Sequence, residues 1–171
     1  MRPPPPQALV IAGASGDLTR RKILPALYHL FEAGLLPERC AVVGAARTPY
    51  SDDEFRAEAR TAVERFHSHG IEDEPWERFS RMLFYVPGSY TEPGAFDALE
   101  QRVAELEKER SLEGRLYYLA TPPSAFEPII ERLEECGVRD DWRVVVEKPF
   151  GRDLDSAREL NRTVRRALAE E

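Results

Sequence analysis

Apolar positions along this chain fall into short unbroken runs, separated by stretches in which they recur every three or four residues. The runs are strand-sized: Ala8 to Ala12, Cys40 to Ala45, Leu83 to Val86, Leu116 to Ala120 and Val144 to Glu147. Most lack the alternation of a half-solvated strand, which predicts strands covered on both faces. The intervening stretches read as helices with legible ends. Ser51 and Glu54 have the spacing of a capping box ahead of Phe55, Ala59, Ala62, Val63 and Phe66, which share one face, and Gly70 is a terminator. Phe96, Leu99, Val103 and Leu106 repeat at helical steps. A further helix is expected from about Ser124, with Phe126, Ile129, Ile130 and Leu133 inward and Gly137 as its stop. A last one carries Leu154, Ala157, Leu160, Val164 and Leu168. In the first crossover, Pro25 lies inside Leu18 to Phe31 and removes an amide, so a kink or two helical pieces ending near Gly34 are expected.

Strands alternating with helices build an α/β fold, a doubly wound and mostly parallel sheet with helices on both faces. The 171 residues suit one domain, from residue 8 to 171, after a Pro-rich segment over residues 1–7 that is expected to be disordered. Charge then narrows the partners. The net charge of −7 disfavours nucleic acid and anionic membrane surfaces, so a phosphorylated ligand must be held by a local arrangement. Cys40 and Cys136 have no neighbouring cysteine, which leaves neither a zinc spacing nor a disulfide framework and suits a reducing cytoplasm. The first apolar run is too short for a secretory signal core.

The first run leads directly into Gly13, Ala14, Ser15, Gly16, Asp17, Leu18, Thr19 and Arg20. A glycine turn between a first strand and a first helix is where a doubly wound fold brings backbone amides to a dinucleotide pyrophosphate. The spacing is G-x-x-G, with Ser15 and Leu18 where the G-x-G-x-x-G fingerprint has its second and third glycines. A turn built only for tight geometry would read the same, and context decides between them. A hydrolase elbow would need Gly at Asp17, and a Walker A loop would need Gly-Lys at Leu18-Thr19. Short-chain reductases are excluded by the lack of a Tyr followed four positions later by Lys. At the end of the second strand, where an NAD-selective site carries a carboxylate for the ribose hydroxyls, stands Arg47. A guanidinium can hold a 2′-phosphate by two parallel hydrogen bonds, which points to NADP rather than NAD. Arg20, Arg21 and Lys22 add charge nearby, though a solvated helix face is the commoner fate of such a triplet.

Four strings occur in order: GASGDL, GAAR, LATPP (Leu119 to Pro123) and EKPFG (Glu147 to Gly151). Together they resemble the coenzyme-binding domain of glucose-6-phosphate dehydrogenase, over nearly the whole chain from Ala8 onward. The resemblance implies oxidation of glucose 6-phosphate at C1 with hydride passing to NADP, the entry step of the pentose phosphate pathway. It makes Gly13 to Arg20 the cradle, Arg47 the 2′-phosphate clamp, and the loop at Ser89 and Tyr90 a further coenzyme contact. Phe126 stands where some relatives carry a coenzyme-contacting tyrosine, which keeps a stacking contact and loses a hydroxyl. Lys148 is implied to touch both coenzyme and sugar, aimed by a cis Pro149. Its place just past the fifth strand supports this independently, because open α/β sheets bind ligands at that edge and an ammonium offers three donors.

The family's sugar-phosphate motif, RIDHYLGK, and its general-base His and Asp come after the last residue. His29, His67 and His69 match none of them and read as partly exposed helix residues. On this expectation the chain has no proton acceptor of its own, a loss of about 100- to 10,000-fold in rate. It would need its C-terminal domain in cis or in trans, and would expose apolar surface prone to self-association. The rival reading is a non-catalytic NADP-binding or interaction module, either a relic or a partner domain.

Overall fold

The computed structural model describes residues 4–67, 70–89, 92–137, 142–148 and 153–167. Five strands, β1 (Gln7–Ala12), β2 (Ala41–Ala46), β3 (Leu83–Pro87), β4 (Gly114–Leu119) and β5 (Trp142–Val146), pair in parallel in the order β3-β2-β1-β4-β5. The helices are α1 (Leu24–Glu32), α2 (Asp52–Phe66), α3 (Asp73–Ser80), α4 (Pro93–Arg110), α5 (Phe126–Glu135) and α6 (Leu154–Ala167).

Successive strand side chains point to opposite faces, and the chain supplies apolar groups to both. On one face Ala8, Val10, Ala12, Val43 and Ala45 pack with Phe96, Val103, Ile129 and Leu160 from α4, α5 and α6. On the other, Leu9, Ile11 and Val42 pack with Leu27, Phe55, Val63 and Phe79 from α1, α2 and α3. These two layers are why β1 and β2 read as unbroken apolar runs. Edge strand β5 departs from that expectation. Its Arg143 and Val145 are exposed, with Val145 37% open, because α5 and α6 cover only one of its faces.

The Ser51–Glu54 capping box forms, with the Glu54 amide donating to Ser51 Oγ at 3.2 Å and the Ser51 amide to Glu54 Oε2 at 2.8 Å. Helix α2 ends at Phe66, short of Gly70, so Phe66 overhangs at 38% exposure under the guanidinium groups of Arg21 and Arg65. Leu154 likewise lies exposed at the start of α6, and Leu168 falls outside the described residues. The first crossover is in two pieces, as Pro25 requires. Thr19–Ile23 is one wide turn, in which the Leu24 amide reaches the Thr19 carbonyl, and Pro25 then sits in the first turn of α1, where its missing amide costs least. The ladder begins at Gln7, and the Pro6 carbonyl accepts from Glu113 at 2.7 Å, so order reaches into the segment expected to be disordered.

Edge strand β3 is capped by side chains of α2: Asp52 accepts from the Tyr85 amide at 2.6 Å and Arg56 donates to the Leu83 carbonyl at 3.0 Å, which blunts a pairing edge. At the start of β4, buried Arg115 donates twice to Glu107, at 2.7 and 2.8 Å, once to Glu100 at 2.5 Å, and lies over the Trp142 ring. A guanidinium that deep is tolerated because its donors are taken by carboxylates.

Candidate coenzyme site

Strand order reverses between β1 and β4: the chain winds outward from β1 through β2 to β3, then crosses back to β4 and β5. In such a sheet the crevice outside the carboxyl ends of the two central strands is the place for a ligand. The glycine turn opens into it. Gly13 has φ +87°, and a Cβ there would lie 2.5 Å from the Ala120 carbonyl oxygen, so only glycine lets the end of β1 approach the end of β4 this closely. Ala14 is seated by a second close approach, since a Cβ on Gly44 would stand 2.8 Å from its methyl group.

Backbone donors in the turn divide into two sets. The Gly13 and Ala14 amides bind the Ala45 carbonyl, at 2.8 and 3.2 Å, and Gly16 binds the Gly13 carbonyl at 2.9 Å. The first helical bond runs from the Arg20 amide to the Gly16 carbonyl at 3.1 Å, so the amides of Asp17, Leu18 and Thr19, as at any helix start, have no backbone partner among the described residues. Thr19 itself is buried, and its hydroxyl donates to the Gly13 carbonyl at 3.1 Å, pinning the turn shut. Opposite, Thr121 is 8% exposed and its Oγ1 has no hydrogen-bond partner among the described residues. Its methyl group is 3.2 Å from the position of a Gly13 Cβ. A strand-end approach that only glycine allows, open amides at a helix start and an orphaned buried hydroxyl fit a dinucleotide.

Arg47 follows β2 directly and is exposed, with neither an ion pair nor a hydrogen bond among the described residues. The next residue ties its loop to the turn: the Thr48 hydroxyl donates to Ser15 Oγ at 3.0 Å. The Thr48 carbonyl in turn accepts from Tyr85 at 2.9 Å, and burial pushes the Tyr85 hydroxyl up to about 12, keeping it a donor. Arg47 is therefore held beside the cradle with its donors free. The neighbouring cations are engaged elsewhere. Arg20 pairs with Glu58 at 2.7 Å and Arg21 with Asp17 at 3.4 Å.

Ser89 lies in the loop after β3, where the Glu92 amide donates to its carbonyl at 2.9 Å, whereas Tyr90 and Pro149 lie outside the described residues. Lys148 is exposed two residues past β5 and has no ion pair among the described residues. Its neighbour Glu147 is fixed by a short hydrogen bond from the Tyr118 hydroxyl of β4. Burial first, then the hydrogen bond to Glu147 and its charge, pushes that hydroxyl up to about 12. Phe126 takes no part. It is 1% exposed in the core beneath α5, so the stacking contact expected of it is not available. Thr48, Tyr118 and Thr121 are additions to the residues picked from sequence. Thr121 lay inside the quoted LATPP string, but its orphaned hydroxyl is visible only once β1 and β4 are side by side.

The family model for the glucose-6-phosphate dehydrogenase NAD binding domain matches residues 10–171. The chain belongs to this glucose-6-phosphate dehydrogenase family. Among its relatives, a glucose-6-phosphate 1-dehydrogenase of Chlamydia pneumoniae is 42% identical over 97% of the chain and 34% of its own length. A second, of Bacillus subtilis, is 36% identical over 98% and 34%. Two solved structures superpose on the fold. A glucose-6-phosphate dehydrogenase in complex with its substrate glucose-6-phosphate gives a TM-score of 0.86 at 32% identity, over 99% of this chain and 36% of that one. The Mycobacterium avium glucose-6-phosphate 1-dehydrogenase gives 0.83 at 33%, over 96% and 36%. The chain thus spans about a third of the length of the glucose-6-phosphate dehydrogenases it matches.

Proposed function

We propose that this chain is the NADP-binding part of a glucose-6-phosphate dehydrogenase, oxidising D-glucose 6-phosphate to 6-phosphogluconolactone. The observation that carries the reading is the cradle at the β1–β4 crevice, with Arg47 held free beside it by the Thr48–Ser15 hydrogen bond. In this reading the free amides of Asp17, Leu18 and Thr19 receive the diphosphate, and Arg47 receives the 2′-phosphate. Thr121 Oγ1 gains a partner from the coenzyme. By family resemblance, the loop at Ser89 and Tyr90 is a further coenzyme contact. When bound, the nicotinamide accepts a hydride. Lys148 contributes donors to the sugar oxygens and the coenzyme, and the Tyr118–Glu147 hydrogen bond restrains the strand end from which it projects. Glucose 6-phosphate and the rest of the dehydrogenase are the partners this assignment requires.

Among the described residues, no helix is long and apolar enough to cross a membrane. A cytoplasmic location accords with two cysteines that are both free thiols.

Calorimetric titration with NADP and NAD tests the reading on the parent and on Arg47→Ala. A charge-assisted hydrogen bond contributes about 1.5–3 kcal/mol, and an exposed guanidinium belongs at the low end, so NADP affinity falls about tenfold while NAD affinity is nearly unchanged. Equal losses for both coenzymes would remove Arg47 from the 2′-phosphate. No binding of either at millimolar concentration would remove the coenzyme site.

A further inference from the structure

At the C-terminal end of α1, the opposite end of that crossover from the glycine turn, lies a cluster that the coenzyme reading does not use. His29 and Glu32 stand three residues apart in the last turn of α1, and His67 ends α2. One donor atom from each of the three lies within 4.8 Å of the others. We propose that His29, Glu32 and His67 bind a first-row divalent metal ion, zinc above all, which clamps the end of α1 to the chain leaving α2.

The orientation of His67 carries the argument. Read as a partly exposed helix residue from sequence, its side chain is in fact only 4% exposed. The backbone turns extended at His67, with φ −85° and ψ 137°, and the ring packs edge-on to Tyr28 with centroids 5.2 Å apart. Its Nδ1 lies 3.0 Å from the Gly70 carbonyl. A carbonyl can only accept, so Nδ1 carries a proton, and with only that proton on the ring Nε2 presents a lone pair. That lone pair meets the Glu32 carboxylate, with Nε2 and Oε2 3.2 Å apart. Two acceptors at this distance require a cation between or on them.

A metal ion meets that requirement with ordinary geometry. Tetrahedral zinc with bonds of about 2.0–2.2 Å sets neighbouring donor atoms about 3.3 Å apart, close to the observed separation. The backbone carbonyl on the other ring nitrogen is the usual outer partner of a metal-bound histidine, fixing its tautomer and aim. His29 is exposed, with its ring 6.0 Å from that of His67, so a swing of a solvent-facing side chain completes a three-ligand set with water in the fourth position. Glu32 is exposed, and its charge, after burial, helps push the Tyr28 hydroxyl up, which places the carboxylate beside that ring. The competing occupant is a proton on His67, giving a plain ion pair.

Tag-free chain stripped of metal is titrated with Zn²⁺ by calorimetry and with Co²⁺ by visible absorption. The expected result is one ion per chain, a thermal midpoint that climbs with zinc concentration, and the intense cobalt bands of a tetrahedral site. His29→Ala and Glu32→Gln both sit at exposed positions and should fold without metal. Each should weaken zinc by at least the 10–100-fold that loss of even an outer partner costs. Absence of stoichiometric zinc binding, or parental affinity in either variant, would overturn the proposal and leave the proton as the occupant. Neither result bears on the coenzyme titration, which reads a different site.

Discussion

Gly13→Ala tests whether β1 and β4 approach as closely as the crevice requires. The new methyl group would meet the Ala120 carbonyl oxygen at 2.5 Å, its carbon at 3.0 Å and the Thr121 methyl at 3.2 Å, and the first two are backbone atoms that cannot rotate away. An L-residue at φ +87° adds roughly 1–2 kcal/mol of backbone strain. Relieving the overlap by shifting a strand end adds about 1–3 kcal/mol. The sum, about 2–5 kcal/mol, is a large part of an ordinary domain's stability but leaves it folded. Gly137→Ala separates the two contributions. Gly137 has φ +76° but nothing within 4 Å of its Cβ position, so it should show the strain alone. At about 2–4 °C per kcal/mol for a chain of this size, thermal melting should drop by roughly 4–20 °C for Gly13→Ala and by roughly 2–8 °C for Gly137→Ala. NADP affinity should fall only in the first. Equal drops in melting temperature would refute the close approach.

Three further outcomes follow from the same geometry. Ser51→Ala should cost about 0.5–2 kcal/mol by urea denaturation at neutral pH. The hydroxyl caps the Glu54 amide, a bond that does not titrate, so most of this cost should persist in acid; the Ser51 amide first and its hydroxyl second hold the Glu54 carboxyl below its usual range, and only that part is lost as pH falls through the lowered folded value, so a cost that vanishes entirely in acid would contradict the cap. Tyr118 has a folded value of about 12, so its contribution is complete below the unfolded value near 10 and is lost as pH rises through 12. Alkaline spectrophotometric titration should show Tyr118→Phe removing a late-titrating tyrosine; loss of one titrating near 10 instead would count against the bond to Glu147. For the thiols, Cys40 is buried and pushed up to about 11, whereas Cys136 is exposed, so a disulfide reagent at pH 8 should modify one thiol in the native chain and both after unfolding.

What the sequence made legible was local. An apolar run ending in glycine, a serine three residues before a glutamate, and a proline early in a helix each act within one turn of chain, and the structure has all three. Contacts that span the chain carried no such signal. Thr48 meets Ser15 across 33 residues, and Tyr118 meets Glu147 across 29, so neither pair has a spacing to read. Helix α3 passed unseen because its eight residues place only Trp76 and Phe79 in the core, too few to show a period. Phe66 and Leu154 kept helical periodicity at helix ends, where no neighbouring element covers that face. Phe126 was placed inward by its helical period, and the structure has it in the core, where resemblance alone had added a coenzyme contact. His67 is partly exposed beside its helix, as expected, but its ring turns inward because the helix stops one residue before it.

Hydrogen–deuterium exchange of the 171-residue chain with and without saturating NADP tests the coenzyme site most directly. The account predicts slowed exchange across Gly13 to Arg20, centred on the amides of Asp17, Leu18 and Thr19, together with the strand end at Ala120 and Thr121. Unchanged exchange in both segments, with NADP demonstrably bound, would contradict it.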